Sequence, residues 1–284
     1  MKKIVISLFI LILVAGLSAE GWNKAADISL NLNQNSYSDN WTGGEMGSIS
    51  WAFNANLLAE KQLNEKLHNK NTLKLAFGQT HSQYVFTKAD GTTEKRWAKA
   101  DKTTDLIDFE SLFRFTLGLA VDPFAGVRWE SQFLDESGTD VKMINPNIFT
   151  ETFGVAKVFM KTENKELSAR LGAAFKQYFD SNIDDSTNDG GVEFVGEFKS
   201  PLANKVFNYS TKLVLYKALF FSESDVVEDD AWEMVRMDWE HILTAQLTTL
   251  INFNLYFQLI YDETQIDEIQ YKETLGLGFT YKLF

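Results

Sequence analysis

The chain has 284 residues, of which 14% are aromatic, with 3 Pro and no Cys. That composition excludes a disulfide scaffold, a cysteine-ligated metal site and a cysteine-borne lipid anchor. Its 27 basic residues against 39 acidic ones leave a formal charge of −12, which argues against nucleic acid as a partner.

Residues 1–19 read as a secretory signal peptide: Lys2 and Lys3, then an apolar run from Ile4, then the small Ala19 ahead of Glu20. A retained anchor is the alternative, but it needs roughly 20 apolar residues and a basic stop. No later apolar run reaches spanning length, so a helical membrane protein is excluded. The expected organisation is a leader at 1–19 and a single β-barrel domain at 20–284.

From there the chain alternates with period two, the pattern of a strand with one apolar and one polar face. The first strand starts near Asp27. In the second, from Gly47, Ile49, Trp51, Phe53 and Leu57 share one face while Ser48, Ser50, Asn54 and Asn56 share the other. Further strands are predicted to begin near Thr72, Thr103, Phe124, Phe149, Leu167, Gly191, Val206, Trp232, Ile251 and Ile269, twelve in all. The Phe149 segment is the least regular, because Glu151 and Lys157 share parity with Phe153 and Val155. The last strand places Leu275, Leu277, Phe279, Tyr281 and Leu283 on one face. Phe279, Tyr281 and the terminal Phe284 read as the C-terminal signal by which the barrel-assembly machinery recognises its substrates.

The connections alternate between short and long, with the stretch 59–71 as a long exception on the short side. The six long loops together carry −15 and the five short turns about +1. A soluble β-sandwich has no reason for that asymmetry, whereas an outer-membrane barrel has short periplasmic turns and longer outer loops. Hydrocarbon offers no hydrogen-bond partners, so a spanning sheet must close on itself. The expected fold is therefore all-β: a closed antiparallel transmembrane barrel of about 12 strands in the bacterial outer membrane, with outer-membrane lipid around it.

The opening segment GWNKAADISLNLNQNSYSDNWTGGEMGSISW resembles that of an uncharacterised outer-membrane β-barrel family, catalogued as a domain of unknown function. Trp22, Gln34, Asn40, Trp41, Gly43 and Gly44 match its signature, and the resemblance runs more loosely to Phe284. It implies a fold and a location and carries no activity with it. The loop residues also have a structural account, since glycines permit positive φ and a Trp at a lipid interface anchors the barrel edge.

The polar faces carry both signs of charge: Lys74, Glu110, Arg114, Arg128, Glu130, Arg170, Lys176, Glu193, Glu197, Lys199, Lys212, Asp238, Glu240 and Lys272. Enclosed charges must be paired or wetted. Twelve strands tilted roughly 40° give a radius of about 12 Å, leaving about 6 Å inside the side chains. One reading is a narrow channel for small polar solutes, with Arg114, Arg128, Arg170 and Lys176 opposing Asp238 and Glu240 and Glu130 lining the same passage. The other is a non-conducting scaffold or adhesion barrel whose lumen is filled by ion pairs.

A lipid-facing hydrolase of the outer-membrane phospholipase type is a third reading. It would use Ser111 with His81, if the hairpin folded about 88–103 sets them at one height, and no motif of that enzyme family accompanies them. No catalytic residue and no cofactor is therefore assigned. The acidic runs Asp184, Asp185, Asp189 and Glu228, Asp229, Asp230 are hard oxygen donors suited to divalent cations. Neither run has the spacing of a known calcium loop, and a solvated acidic rim is the alternative.

Overall fold

The computed structural model describes residues 21–38, 45–162, 164–183, 186–203, 206–224, 230–248 and 251–282. The leader and the loop signature Asn40, Trp41, Gly43 and Gly44 lie outside them. Twelve long strands run in chain order. They are β1 (Asn23–Asn35), β2 (Ser48–Asn64), β3 (Leu67–Thr87), β5 (Asp101–Phe115), β6 (Asp122–Ser131), β9 (Asn147–Lys161), β10 (Glu166–Phe179), β11 (Ser186–Leu202), β12 (Phe207–Phe221), β13 (Val235–Gln246), β14 (Ile251–Asp262) and β15 (Ile266–Lys282). Each pairs antiparallel with its neighbour, and β1 pairs β15, so the sheet closes into a twelve-stranded barrel. Three short strands sit in loops at one end: β4 (Thr93–Trp97), which extends the β3 hairpin, and the pair β7 (Leu134–Asp135) and β8 (Lys142–Met143).

Two expectations change at the strand ends. The stretch 59–71 is no long turn: β2 and β3 continue through it in register, Ala59 opposite Asn71 and Glu60 opposite Lys70, and turn at 65–66. The reason is that Glu60, Lys61, His68 and Lys70 blur the alternation without breaking the ladder, because polar side chains are tolerated near a barrel rim. The strand predicted from Trp232 begins only at Val235, since Asp230–Glu233 winds a short 3-10 turn that seats Trp232 against Phe221. The irregular Phe149 segment is a full strand, with Phe153 and Val155 exposed on the outer face. At the tip of the β3–β4 hairpin, Gly91 supplies the positive φ of 82° that the turn demands.

Sorting of side chains is the inverse of a soluble fold. Along β9 to β12 the outward residues Phe153, Leu171 and Leu219 are 67%, 50% and 65% exposed, while the inward Arg170 and Glu193 are 8% and 6% exposed. Following the paired residues around the ring returns to β1 about 20 residues further along. That stagger corresponds to a tilt of about 50° and a round-section radius of about 14 Å, wider than the estimate from strand number alone. Walls so far apart would hold Lys74 of β3 and Glu240 of β13 out of reach, yet the two are in contact. The section is therefore flattened, with the β3 wall drawn toward β11–β13.

Candidate functional site: the charged lumen

Three hydrogen-bonded ion pairs join strands at least three places apart in the ring. Lys74 Nζ donates to Glu240 Oε2 at 2.6 Å, Lys70 Nζ donates to Glu197 Oε2 at 3.3 Å, and Arg170 donates to Glu110. These link β3 to β13, β3 to β11 and β10 to β5 across the interior. Strand alternation places them there: each sits at the parity opposite to the apolar outer face of its strand. Tyr256 donates its hydroxyl to the second oxygen of Glu240 at 3.2 Å. Arg128 holds Asp108 through two hydrogen bonds, 2.9 and 3.0 Å, and lies 3.0 Å from Glu130. The planar guanidinium suits that forked geometry, which lysine would not reproduce.

Backbone packing sets Arg170. Its β10 neighbour Gly172 pairs with Gly154, which pairs in turn with Phe124. With no side chain on Gly172 the Phe124 ring comes close to it, so that an added Cβ would stand 3.2 Å from Phe124 Cζ. The Arg170 guanidinium rides over that ring at 5.9 Å. Nearer the long-loop end Asp189 accepts from the Tyr216 hydroxyl at 2.5 Å and from Arg236 at 2.9 Å. The Lys176 ammonium sits 3.8 Å above the Tyr216 ring. Gln258 donates to Asp238 at 2.8 Å, and Lys272 reaches Thr104 on β5 at 3.1 Å.

The long loops lock together above this layer. Asp105 accepts the backbone N–H groups of Phe133 and Leu134 at 2.7 and 2.9 Å, and Lys102 donates to the carbonyl of Leu134. Buried Asn145 donates to both Asp135 and Asp180 at 2.7 Å, and Asn182 donates to Asp135 at 2.6 Å. Burial works to raise the Asp135 carboxyl, but hydrogen bonds from Ser137, Asn145 and Asn182 outweigh it and hold the group below the usual carboxylate range.

The opposed ladder expected from sequence takes a different form. Arg128 and Arg170 pair with Asp108 and Glu110, Arg114 stands 3.8 Å from Asp122, and Lys176 lies over a ring; Glu240 takes Lys74 and Asp238 takes Gln258. Arg128, Asp238 and Glu240 do line one small cleft together with Lys212. Sequence reading missed Asp108, although it shares parity with Glu110, and Lys70, which lay in the stretch taken for a turn. Asp189 and Arg236, assigned to a loop and left unassigned, are lumen residues. Phe279 and Tyr281 fall on β15 opposite Leu30 and Ile28, and Phe284 lies outside the described residues. So do Asp184, Asp185, Glu228 and Asp229. Among the described residues no three His, Asp or Glu side chains group as metal ligands, and Asp230 opens the 3-10 turn.

The Ser111 and His81 pairing fails on register. Ser111 lies opposite Asn71 and takes a hydrogen bond from Asn69 at 3.4 Å, whereas His81 lies opposite Ile49. The ten residue steps along β3 from position 71 to 81 separate the two by roughly 33 Å, far beyond the reach of a nucleophile and its base.

The fold is similar to solved barrels at low identity. One is the translocator domain of the autotransporter NalP from Neisseria meningitidis, at 10% identity and a TM-score of 0.37, covering 99% of this chain and 95% of that one. Another is an outer membrane channel from Pseudomonas putida F1, at 14% identity and a TM-score of 0.42, covering 92% and 94%. The β domain of the Bordetella autotransporter BrkA aligns at 10% identity and a TM-score of 0.38, covering 92% and 99%. Among curated proteins the chain has no match. Residues 32–136, from β1 through β7, match the model of a family described as Protein of unknown function (DUF3078), a span that contains Gln34, Asn40, Trp41, Gly43 and Gly44 and begins after Trp22.

Proposed function

We propose that this protein is a non-conducting barrel of the bacterial outer membrane, a structural element of the envelope that presents an acidic loop rim to the outside. The membrane assignment is supported by the closed sheet, whose backbone groups pair around the ring, and by its exposed apolar exterior, the combination that hydrocarbon demands. The observation that carries the closed lumen is the set of cross-barrel pairs Lys74–Glu240, Arg170–Glu110 and Lys70–Glu197. They draw opposite walls together and occupy the path an ion would take, which favours the scaffold over the narrow channel.

The test is electrical. Refolded protein, shown to be folded by heat-modifiable gel migration, is placed in a planar bilayer. Wild type is expected to pass no steady current, and a variant with Lys74, Glu110, Arg170 and Glu240 all replaced by Ala is expected to conduct. Steady wild-type currents whose ion preference changes on neutralising Arg114 and Arg128 would instead make the lumen a selective pore.

A further inference from the structure

At the short-turn end of the lumen lies a cavity of about 50 Å³. Its wall includes Lys70, Arg114, Lys161 and Arg170, with His68 beside them. Such a concentration of cations is unexpected in a chain of net charge −12. Three carboxylates share the wall, Glu60, Glu166 and Glu197, and how they are engaged decides what the cavity can accept.

Only Glu197 makes a hydrogen bond to one of these cations, taking Lys70 at 3.3 Å. Lys161 stands 3.6 Å from Glu60 and 3.9 Å from Glu166, too far for hydrogen bonds. Glu60 is held instead by the side-chain amide of Asn23 at 2.9 Å, with His68 at 3.7 Å. Arg114 has its carboxylate, Asp122, at 3.8 Å, and its Nε is buried without a hydrogen-bond partner among the described residues. Arg170 is 8% exposed and gives one terminal nitrogen to Glu110, while its own buried Nε is also without a partner. Two arginines, each with a buried Nε that has no acceptor, and a half-exposed lysine without a hydrogen-bonded carboxylate thus line one void, and buried donors without acceptors are costly to keep.

We propose that this mouth binds a compact oxyanion, with phosphate as the type ligand, held between Arg114, Arg170 and Lys161. Tetrahedral and planar oxyanions offer several acceptor oxygens at the spacing of a guanidinium fork. The cavity exceeds what one water needs and admits a group of only a few heavy atoms. Free phosphate and the phosphate of an anionic lipid headgroup share this chemistry, and the choice of bilayer separates them.

The full chain is reconstituted in phosphatidylcholine nanodiscs and titrated with inorganic phosphate at an ionic strength held constant with chloride, reading both thermal unfolding and 31P line broadening. Saturable stabilisation and broadening by phosphate, matched by sulfate and absent with chloride, are expected. Arg114→Gln should weaken apparent affinity about tenfold or more, and Lys161→Gln, at a half-exposed side chain that tolerates change, should weaken it in the same direction. Lys272→Gln, at the other end of the lumen, should leave it unchanged. Loss of the phosphate response in phosphatidylglycerol nanodiscs supports the site with lipid phosphate as occupant, and its retention supports it with free phosphate. Phosphate indistinguishable from chloride in both readouts, or a response that survives both Arg114→Gln and Lys161→Gln, overturns the proposal.

Discussion

Replacing Arg170 by Met tests the interior directly. Glu110 and Arg170 are 9% and 8% exposed and bonded to each other. Met keeps an unbranched stem to pack on Phe124, so the loss reports on the charge. Glu110 is then left buried without its partner, a situation that costs about 3–5 kcal/mol. Exchanging both residues, Glu110→Leu with Arg170→Met, removes the stranded charge and should return stability to within about 1–2 kcal/mol of wild type, since apolar replacement of a buried pair is often neutral. The two single changes and the double therefore form a cycle with a coupling of several kcal/mol. Urea unfolding from lipid vesicles, followed by tryptophan fluorescence, gives each free energy. A single-variant loss below about 1 kcal/mol would mean that water reaches Glu110 and that the lumen is wet. A double variant as unstable as the sum of the singles would mean the two residues do not act on each other. Either result refutes the argument for a closed interior.

Tyr216→Phe deletes the hydroxyl bonded to Asp189, in the most buried large side chain of the described residues, and should cost about 1–3 kcal/mol in the same unfolding assay. Gly191→Ala should abolish the heat-modifiable folded band, because a Cβ there would stand 1.9 Å from the Lys217 carbonyl oxygen at the β11–β12 bulge, and backbone cannot yield as a flexible side chain does. The Asp135 carboxyl lies below its ordinary value in the folded loops, so its contribution is complete above about pH 4, where the unfolded group is ionised, and is lost as pH falls through the lowered folded value. Hydrogen exchange at the Ser137 amide, which donates to Asp135 at 2.9 Å, should accordingly stay slow from neutral pH down to the ordinary carboxylate range and quicken below it. Asp135→Asn should quicken it at every pH.

Strand number, facing and the division into short and long connections were legible in the sequence because alternation is a local property, read within ten residues. Phe253, Leu255 and Phe257 announce their face without help from any other strand. Partners were not legible, because they depend on register and section. That Lys74 meets Glu240 follows from a stagger of about 20 residues and a flattened wall, neither of which a single strand encodes. Parity alone identified Arg128 and Glu130 as sharing a face, yet the neighbour that completes the fork, Asp108, sits on the adjacent strand. The stretch 59–71 misled for a related reason: charged residues at the foot of a hairpin resemble a turn until the opposite strand is seen to carry polar groups at the same level. Lys70, hidden in that stretch, holds one of the three hydrogen-bonded cross-barrel pairs.

The closure of β1 on β15 bears on how the barrel is made. Its described ladder has five pairs, Asp27 to Asn31 against Lys282 to Gly278, where β1 and β2 share thirteen. Every other pairing of the ring joins long strands that follow one another in the chain, with at most the short loop strands between them, so each can zip from its own connection. The closing pair instead joins residues about 250 apart, and bringing such distant ends together costs about 3 kcal/mol more chain entropy than closing a ten-residue hairpin. Among the described residues, the shortest ladder of the ring thus falls where the entropic cost of contact is greatest. Until those two strands meet, the chain is an open sheet with two edges of unpaired backbone groups, so closing the ring depends on this single junction and not on the eleven hairpins.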